Sequence, residues 1–154
     1  VTAGDPVLLE ATPLHFAAMY GRAGVPMDLL VHFGAMPDTR NRWGATALHF
    51  AALNGHIVSI HYLVEELGAS INAVDGSGAT PLHFAALGTC IRSVEALVEL
   101  GANVSAVDLD LDTASDNAQF ALQEAKARNS SDIGQRIEMV EALKEIEAAL
   151  NLQP

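Results

Sequence analysis

The chain has 154 residues, half of them hydrophobic, so it can bury one continuous core, and neither disorder nor several independent domains is expected. A net charge of −11 argues against nucleic-acid and anionic-membrane partners, because phosphate groups would be repelled, and no apolar run is long enough to cross a bilayer. The single cysteine, Cys90, cannot form an internal disulfide, and the N-terminus lacks the basic flank and apolar core of a signal segment, so an intracellular protein is expected.

The first structured stretch along the chain is TPLHFAAMYGR, beginning at Thr12. Thr12 is placed to cap orphan N–H groups, and Pro13 fills the first helical position, where no donor is needed. Leu14 with Ala17 and Ala18 then gives a short helix whose small side chains let a second helix approach closely, and Gly21 supplies the left-handed residue that ends it. The connection GRAGVPM (21–27) leads through Pro26 into a second helix over DLLVHFGA (28–35). The unit then recurs: TALHFAALNGH starts at Thr46 and TPLHFAALGTC at Thr80, each 34 positions after the last, followed by HYLVEELGA (61–69) and EALVELGA (95–102). VEELGA carries one residue more than VELGA. Gly88, Thr89 and Cys90 replace Asn54, Gly55 and His56, so the left-handed cap there is expected to have moved one place earlier or been remodelled. A motif at a fixed period is one supersecondary unit that cannot bury its apolar face alone and must stack on its copies.

Beyond Asn103 the pattern decays. AVDLDLDTASDNA (106–118) keeps the Ala, Val, Asp and Thr of AVDGSGATPLHFA (73–85) but loses the Gly, the Pro and the Leu–His pair, and its marker Thr113 comes 33 positions after Thr80. Ala114, Ala118, Ala121 and Ala125 continue a helical stripe, so this helix should run to about Arg128. NSSD (129–132) starts another, with Ile133, Ile137, Val140, Ile146 and Leu150 expected on one side. At the other end, Val1 to Ala11 lacks the Asp and Gly of the later loops, as expected of an altered end cap or the edge of a longer array, and a first residue other than Met suggests a processed or excised piece.

Helix, turn, helix and hairpin-like loop at a period near 33 resembles the ankyrin repeat, from about Glu10 to at least Asp108. The resemblance implies an all-α solenoid of helix-turn-helix units in one domain, with repeats at about 7–40, 41–74 and 75–107 and a degenerate capping repeat at 108–151. It also implies a non-enzymatic scaffold, expected to be a monomer, that binds a protein or peptide partner on the concave face made by loop tips and first helices. The alternatives are a regulatory or targeting domain of a larger enzyme or channel, a chaperone-like binder of apolar segments, and a purely structural scaffold. GAMPDTRNRWGAT (34–46) is similar to the family's loop GADVNAxDxxGxT, with Asn41 at the Asp place, Gly44 at the positive-φ Gly, and Arg40, Arg42 and Trp43 at variable places. Carried over residue by residue, the binding surface comprises Met19, Tyr20, Arg40, Arg42, Trp43, Ala45, Leu53, Asn54, Val74, Gly76, Ser77, Ala79 and Leu87. A tryptophan flanked by arginines has the composition of an interface hot spot; the other reading is that Trp43 packs sideways on the adjacent loop with arginines stacked on it.

His15, His49 and His83 invite a metal reading, but helices stacked about 10 Å apart cannot bring them to one ion at about 2 Å. The family likeness implies instead that each bonds to its own Thr and to the neighbouring loop, and that His56 belongs to a structural Gly–His pair. Asp108, Asp110 and Asp112 alternate as a calcium loop does, yet Thr113 and Gln119 stand where that loop needs Gly and Glu. The sequence has no Gly-rich phosphate loop, no GxSxG, no Cys with a matching His and Asn, and no HExxH, and Glu138, Glu141 and Glu145 are expected to face water. No catalytic residue, metal or cofactor is expected.

Overall fold

The computed structural model describes residues 10–151, so the expected N-terminal cap lies almost wholly outside it. The helices are α1 Pro13–Met19, α2 Val25–His32, α3 Ala47–Leu53, α4 Ile57–His61 continuing as a π-helical stretch Tyr62–Glu66, α5 Pro81–Leu87, α6 Ile91–Glu99, α7 Ala114–Ala127 and α8 Ile133–Asn151. α1, α3, α5 and α7 pack successively in one row, and α4, α6 and α8 in a second. Among the described residues the only bridge outside helices joins Val107 and Thr113. The chain is therefore an all-α stack of helix pairs.

The inner-row helices start as the sequence predicts. Thr12, Thr46, Thr80 and Thr113 are extended N-caps, and Pro13 and Pro81 open their helices. Three residues on, an imidazole turns back to the cap: His49 Nδ1 lies 3.1 Å from the Thr46 amide and 2.9 Å from its hydroxyl. A backbone N–H only donates, so Nδ1 is the acceptor and the ring proton sits on Nε2, from which it is donated to the Ala79 carbonyl at 3.1 Å. His15 does the same between Thr12 and the Ala45 carbonyl at 3.0 Å, and His83 between Thr80 and the Asp112 carbonyl at 3.1 Å. Each histidine thus joins the start of one helix to the loop of the next unit. At the fourth place Asp116 accepts from the Thr113 amide and hydroxyl and has no proton to pass on.

The core runs between the rows. Leu14, Ala18, Leu48, Ala51, Ala52, Leu82, Ala85, Ala86, Ala114 and Ala118 face Met27, Ile60, Leu63, Val94, Leu97, Met139 and Leu143, all buried. The alanines allow the close approach, and the leucines supply most of the burial, at about 2–3 kcal/mol each. The first unit is open on its outer flank: Leu30 is half-buried where Leu63 and Leu97 are fully buried, and Phe33 is 82% exposed where Leu67 and Leu100 pack on the core. On α8 the expectation needs correction. Met139, Val140 and Leu143 are buried with Ile133 and Ile146 packed beside them, whereas Ile137 and Leu150 are exposed. Apolar residues occur all round this helix, so periodicity alone selects no face.

The extra residue of VEELGA is taken up by the π-helical stretch, where the Leu67 amide bonds the Tyr62 carbonyl five residues back at 3.1 Å. One wide turn keeps both Leu63 and Leu67 on the core despite the insertion. The Tyr62 hydroxyl donates to the Asp28 carboxylate on α2, and that bond pushes the phenol up to about 12.

After α5 the cap is remodelled without shifting. Gly21 and Gly55 take φ of 66° and 74°, and Thr89, in register with them, takes 57° while Gly88 remains helical at −75°. Gly88 is required for a different reason: a Cβ on it would lie 2.0 Å from the Leu53 carbonyl oxygen. A β-branched residue in the left-handed region is strained by about 1–2 kcal/mol. Thr89→Gly should therefore raise stability in urea by about 1 kcal/mol, and Gly88→Ala should lower it by about 1–3 kcal/mol; a destabilised Thr89→Gly would show the strain to be absent.

Burial lowers the pKa of His49 from 6.5 to about 4, against a smaller raising effect of its bond to Ala79, and burial lowers that of His15 as well. The unfolded chain then takes up protons first, so the histidine contribution is complete above the unfolded pKa of 6.5 and is lost as pH falls towards about 4. At about 1.4 kcal/mol per pH unit, His49 alone accounts for about 3 kcal/mol over that window. Urea unfolding at about pH 7.5 and about pH 4.5 should differ by that order, and His49→Gln should lower stability at the higher pH while removing most of the difference.

Candidate functional site

Three loop tips share one construction. Asn41 Oδ1 accepts from the amides of Trp43 and Ala45, both at 3.0 Å, while the Asn41 amide bonds the Ala45 carbonyl at 2.9 Å and Gly44 turns at φ 78°. Asp75 repeats this with Ser77 and Ala79 at 2.8 and 3.0 Å, and Asp108 with Asp110 and Asp112 at 2.9 and 3.1 Å. Leu111 stands at the glycine place with φ 68°, although the sequence offers no glycine there. Burial pushes the Asp108 carboxyl up, but bonds from the Asn117 side chain and from the Asp112 and Asp110 amides outweigh it and hold the carboxyl below its ordinary value.

The tips are also tied to one another. The Gly76 amide donates to the Trp43 carbonyl at 2.7 Å, and the Leu109 amide to the Ser77 carbonyl at 2.9 Å. Glycine permits the first approach, because a Cβ on Gly44 would stand 2.7 Å from the Gly76 nitrogen and one on Gly76 2.9 Å from the Trp43 oxygen. Between these two tips lies a shallow cleft of about 620 Å³, with Arg40, Arg42 and Trp43 on one wall and Asp75, Gly76 and Ser77 on the other.

Trp43 is 47% exposed, and the Arg42 guanidinium lies 6.0 Å from its ring centroid, at the outer limit of a cation–π contact. Among the described residues no carboxylate forms an ion pair with Arg40 or Arg42. Val74 is 40% exposed, beside Asp75 on the second tip. The remaining predicted surface residues are at the far ends of the inner helices: Met19 and Leu53 half-buried, Leu87 and Tyr20 exposed, and Asn54 exposed with its amide donating to the Phe50 carbonyl at 2.8 Å. A seven-residue helix places those ends about 10 Å from the tips. Of the thirteen residues expected on the binding surface, Arg40, Arg42, Trp43, Gly76 and Ser77 are brought together in the cleft. Ala45 and Ala79, expected on the surface, are buried, because their amides close the Asx loops and their carbonyls receive His15 and His49.

The groups that invite chemistry have other employment. His56 lies 2.7 Å by Nε2 from the Met19 carbonyl and packs on Gly21, and Cys90, in register with it, is half-buried against Gly55. Asp108 is held in its loop, and Glu138, Glu141 and Glu145 are exposed. Among the described residues no three His, Cys, Asp or Glu side chains group as metal ligands, and no helix is long and apolar enough to cross a membrane.

No curated protein matches the chain. The family profile described as "Ankyrin repeats (3 copies)" matches residues 14–108, more than half of the chain. That span holds His15, His49 and His83 and the first two bonded loop tips, and the chain belongs to the ankyrin-repeat family.

Proposed function

We propose that the chain is a non-enzymatic scaffold that binds a partner protein or peptide across its loop tips and the adjoining ends of the inner helices. Ankyrin repeats are generally protein–protein interaction modules. The observation that carries the reading here is the tip cleft: a half-exposed tryptophan and two arginines that form no ion pair among the described residues stand on a backbone already fixed by hydrogen bonds. Such preordering lowers the entropy lost on binding, and Trp and Arg are the residues most often found to dominate protein interfaces.

The partner-binding set proposed is Arg40, Arg42, Trp43, Val74 and Ser77 at the tips, with Met19, Tyr20, Leu53, Asn54 and Leu87 as its second, separate patch. The Trp43 contacts to Asn41 and Gly76 are made by its backbone and survive truncation of the side chain. With this residue 47% exposed, Trp43→Ala should leave thermal unfolding within about 2 °C of the parent, yet weaken an affinity-captured partner by about 2 kcal/mol or more, roughly 30-fold. A drop of several degrees in unfolding temperature would mark Trp43 as structural, and undiminished capture would remove it from the interface.

A further inference from the structure

We propose that the row of tips is electrically polar from end to end and selects an extended segment carrying acidic residues at one end, apolar ones at its centre and a basic residue about six positions from the acids. This rests on the reading of the tips as the binding surface and adds the chemistry of the partner.

The repeat register shows the gradient. Arg40, Val74 and Val107 occupy one place on successive tips; Arg42, Gly76 and Leu109 the next; Trp43, Ser77 and Asp110 the third. The first tip thus presents two exposed cations and an aromatic ring, the middle tip an exposed valine over small residues, and the third tip exposed Val107, Leu109, Asp110 and Leu111. Asp75, Asp108 and Asp112 keep their charge while held by bonds within their loops or half-buried, and they follow the same order: residues 40–45 carry two cations, 74–79 one carboxylate and 107–112 three. Asp110 is the exposed carboxylate of the third tip. The wider charge runs the same way, because residues 1–64 carry four acidic and three basic side chains and residues 65–154 carry fifteen and five.

Distance sets the spacing in the partner. Each unit contributes an outgoing and a returning backbone to the row of tips, and hydrogen-bonded backbones lie about 5 Å apart, so successive tips are about 10 Å apart. The first and third are then separated by about 20 Å, which an extended chain at about 3.3 Å per residue covers in six residues. A segment laid the other way would set like charges against each other at both ends, which opposes both encounter and residence.

The test uses four fluorescein-labelled twelve-residue peptides with the same Leu/Val/Thr centre: glutamates at one end and lysines at the other, glutamates at both, lysines at both, and serines at both. A nitroxide on the acidic end of the first peptide reports its placement through broadening of protein amide signals. The bipolar peptide should bind at least about 10-fold tighter than the other three, with broadening at residues 40–44 and not at 107–111. Arg40→Glu with Arg42→Glu should abolish the preference for an acidic end. Those two together with Asp110→Lys should restore bipolar binding with the broadening moved to 107–111. All these side chains are exposed, so thermal unfolding should be unchanged, which serves as the control. Equal binding of all four peptides that is still lost in Trp43→Ala would overturn the polarity and leave the tip surface standing. Binding that ignores Trp43→Ala and broadens no tip amide would overturn both.

Discussion

An imidazole held between a threonine amide and a carbonyl of the next unit is the interaction on which the stack depends. Helices of seven residues are too short to persist alone in water, so α1, α3 and α5 need support from outside themselves. His15, His49 and His83 supply it at two levels, closing the N-terminal turn of their own helix and fixing its distance from the following loop. The arrangement requires one nitrogen to accept and the other to donate, which the neutral ring alone can do. At His15 and His49 burial favours that neutral ring and is part of the same device. Asp116 marks where the relay ends: a carboxylate accepts both bonds from Thr113 and needs no loop beyond it.

With both flanks of a helix pair fixed in this way, changes of one residue are absorbed locally. The insertion in VEELGA widens one turn and leaves Leu63 and Leu67 on the core. In the third unit, Gly88 lies so close to the Leu53 carbonyl that no side chain fits, and Thr89 keeps the left-handed conformation that a glycine provides in the first two units. Packing decides the backbone path in each case, and the local sequence conforms at some cost in strain.

The features legible in the sequence are those that a short string encodes by itself. Thr–Pro–Leu starts, left-handed Gly21 and Gly55, and the long run of α7 to its cap at Arg128 follow from capping, φ preference and period, while the bridging histidines are implied by the family likeness. What the sequence left open depends on contacts between units. The steric need for Gly88 lies in a residue of the preceding repeat, the burial of Ala45 and Ala79 follows from bonds made by their backbone, and the buried side of α8 is chosen by the helices it meets. The surface was legible only as a list of variable places. That these divide into a tip group and a helix-end group about 10 Å apart follows from the length of the inner helices.

The division of labour within each tip explains why side chains can differ there without cost to the fold. At Trp43 and Ser77 the backbone amide is held by an Asx side chain and the carbonyl by the next tip, so conformation is fixed by groups common to every residue type. The fold at those places is held in the first instance by the backbone, with the Ser77 hydroxyl adding a bond to the Asp75 carboxylate at 2.7 Å, whereas at Thr46 and His49 the side chain itself is the link. A row of tips built in this way can change its chemistry from cationic and aromatic at one end to apolar and acidic at the other while the stack beneath it stays the same. Rigid display and freedom of sequence thus come from the same hydrogen bonds, so the tips are the part of the stack whose side chains can differ most at least cost to the fold.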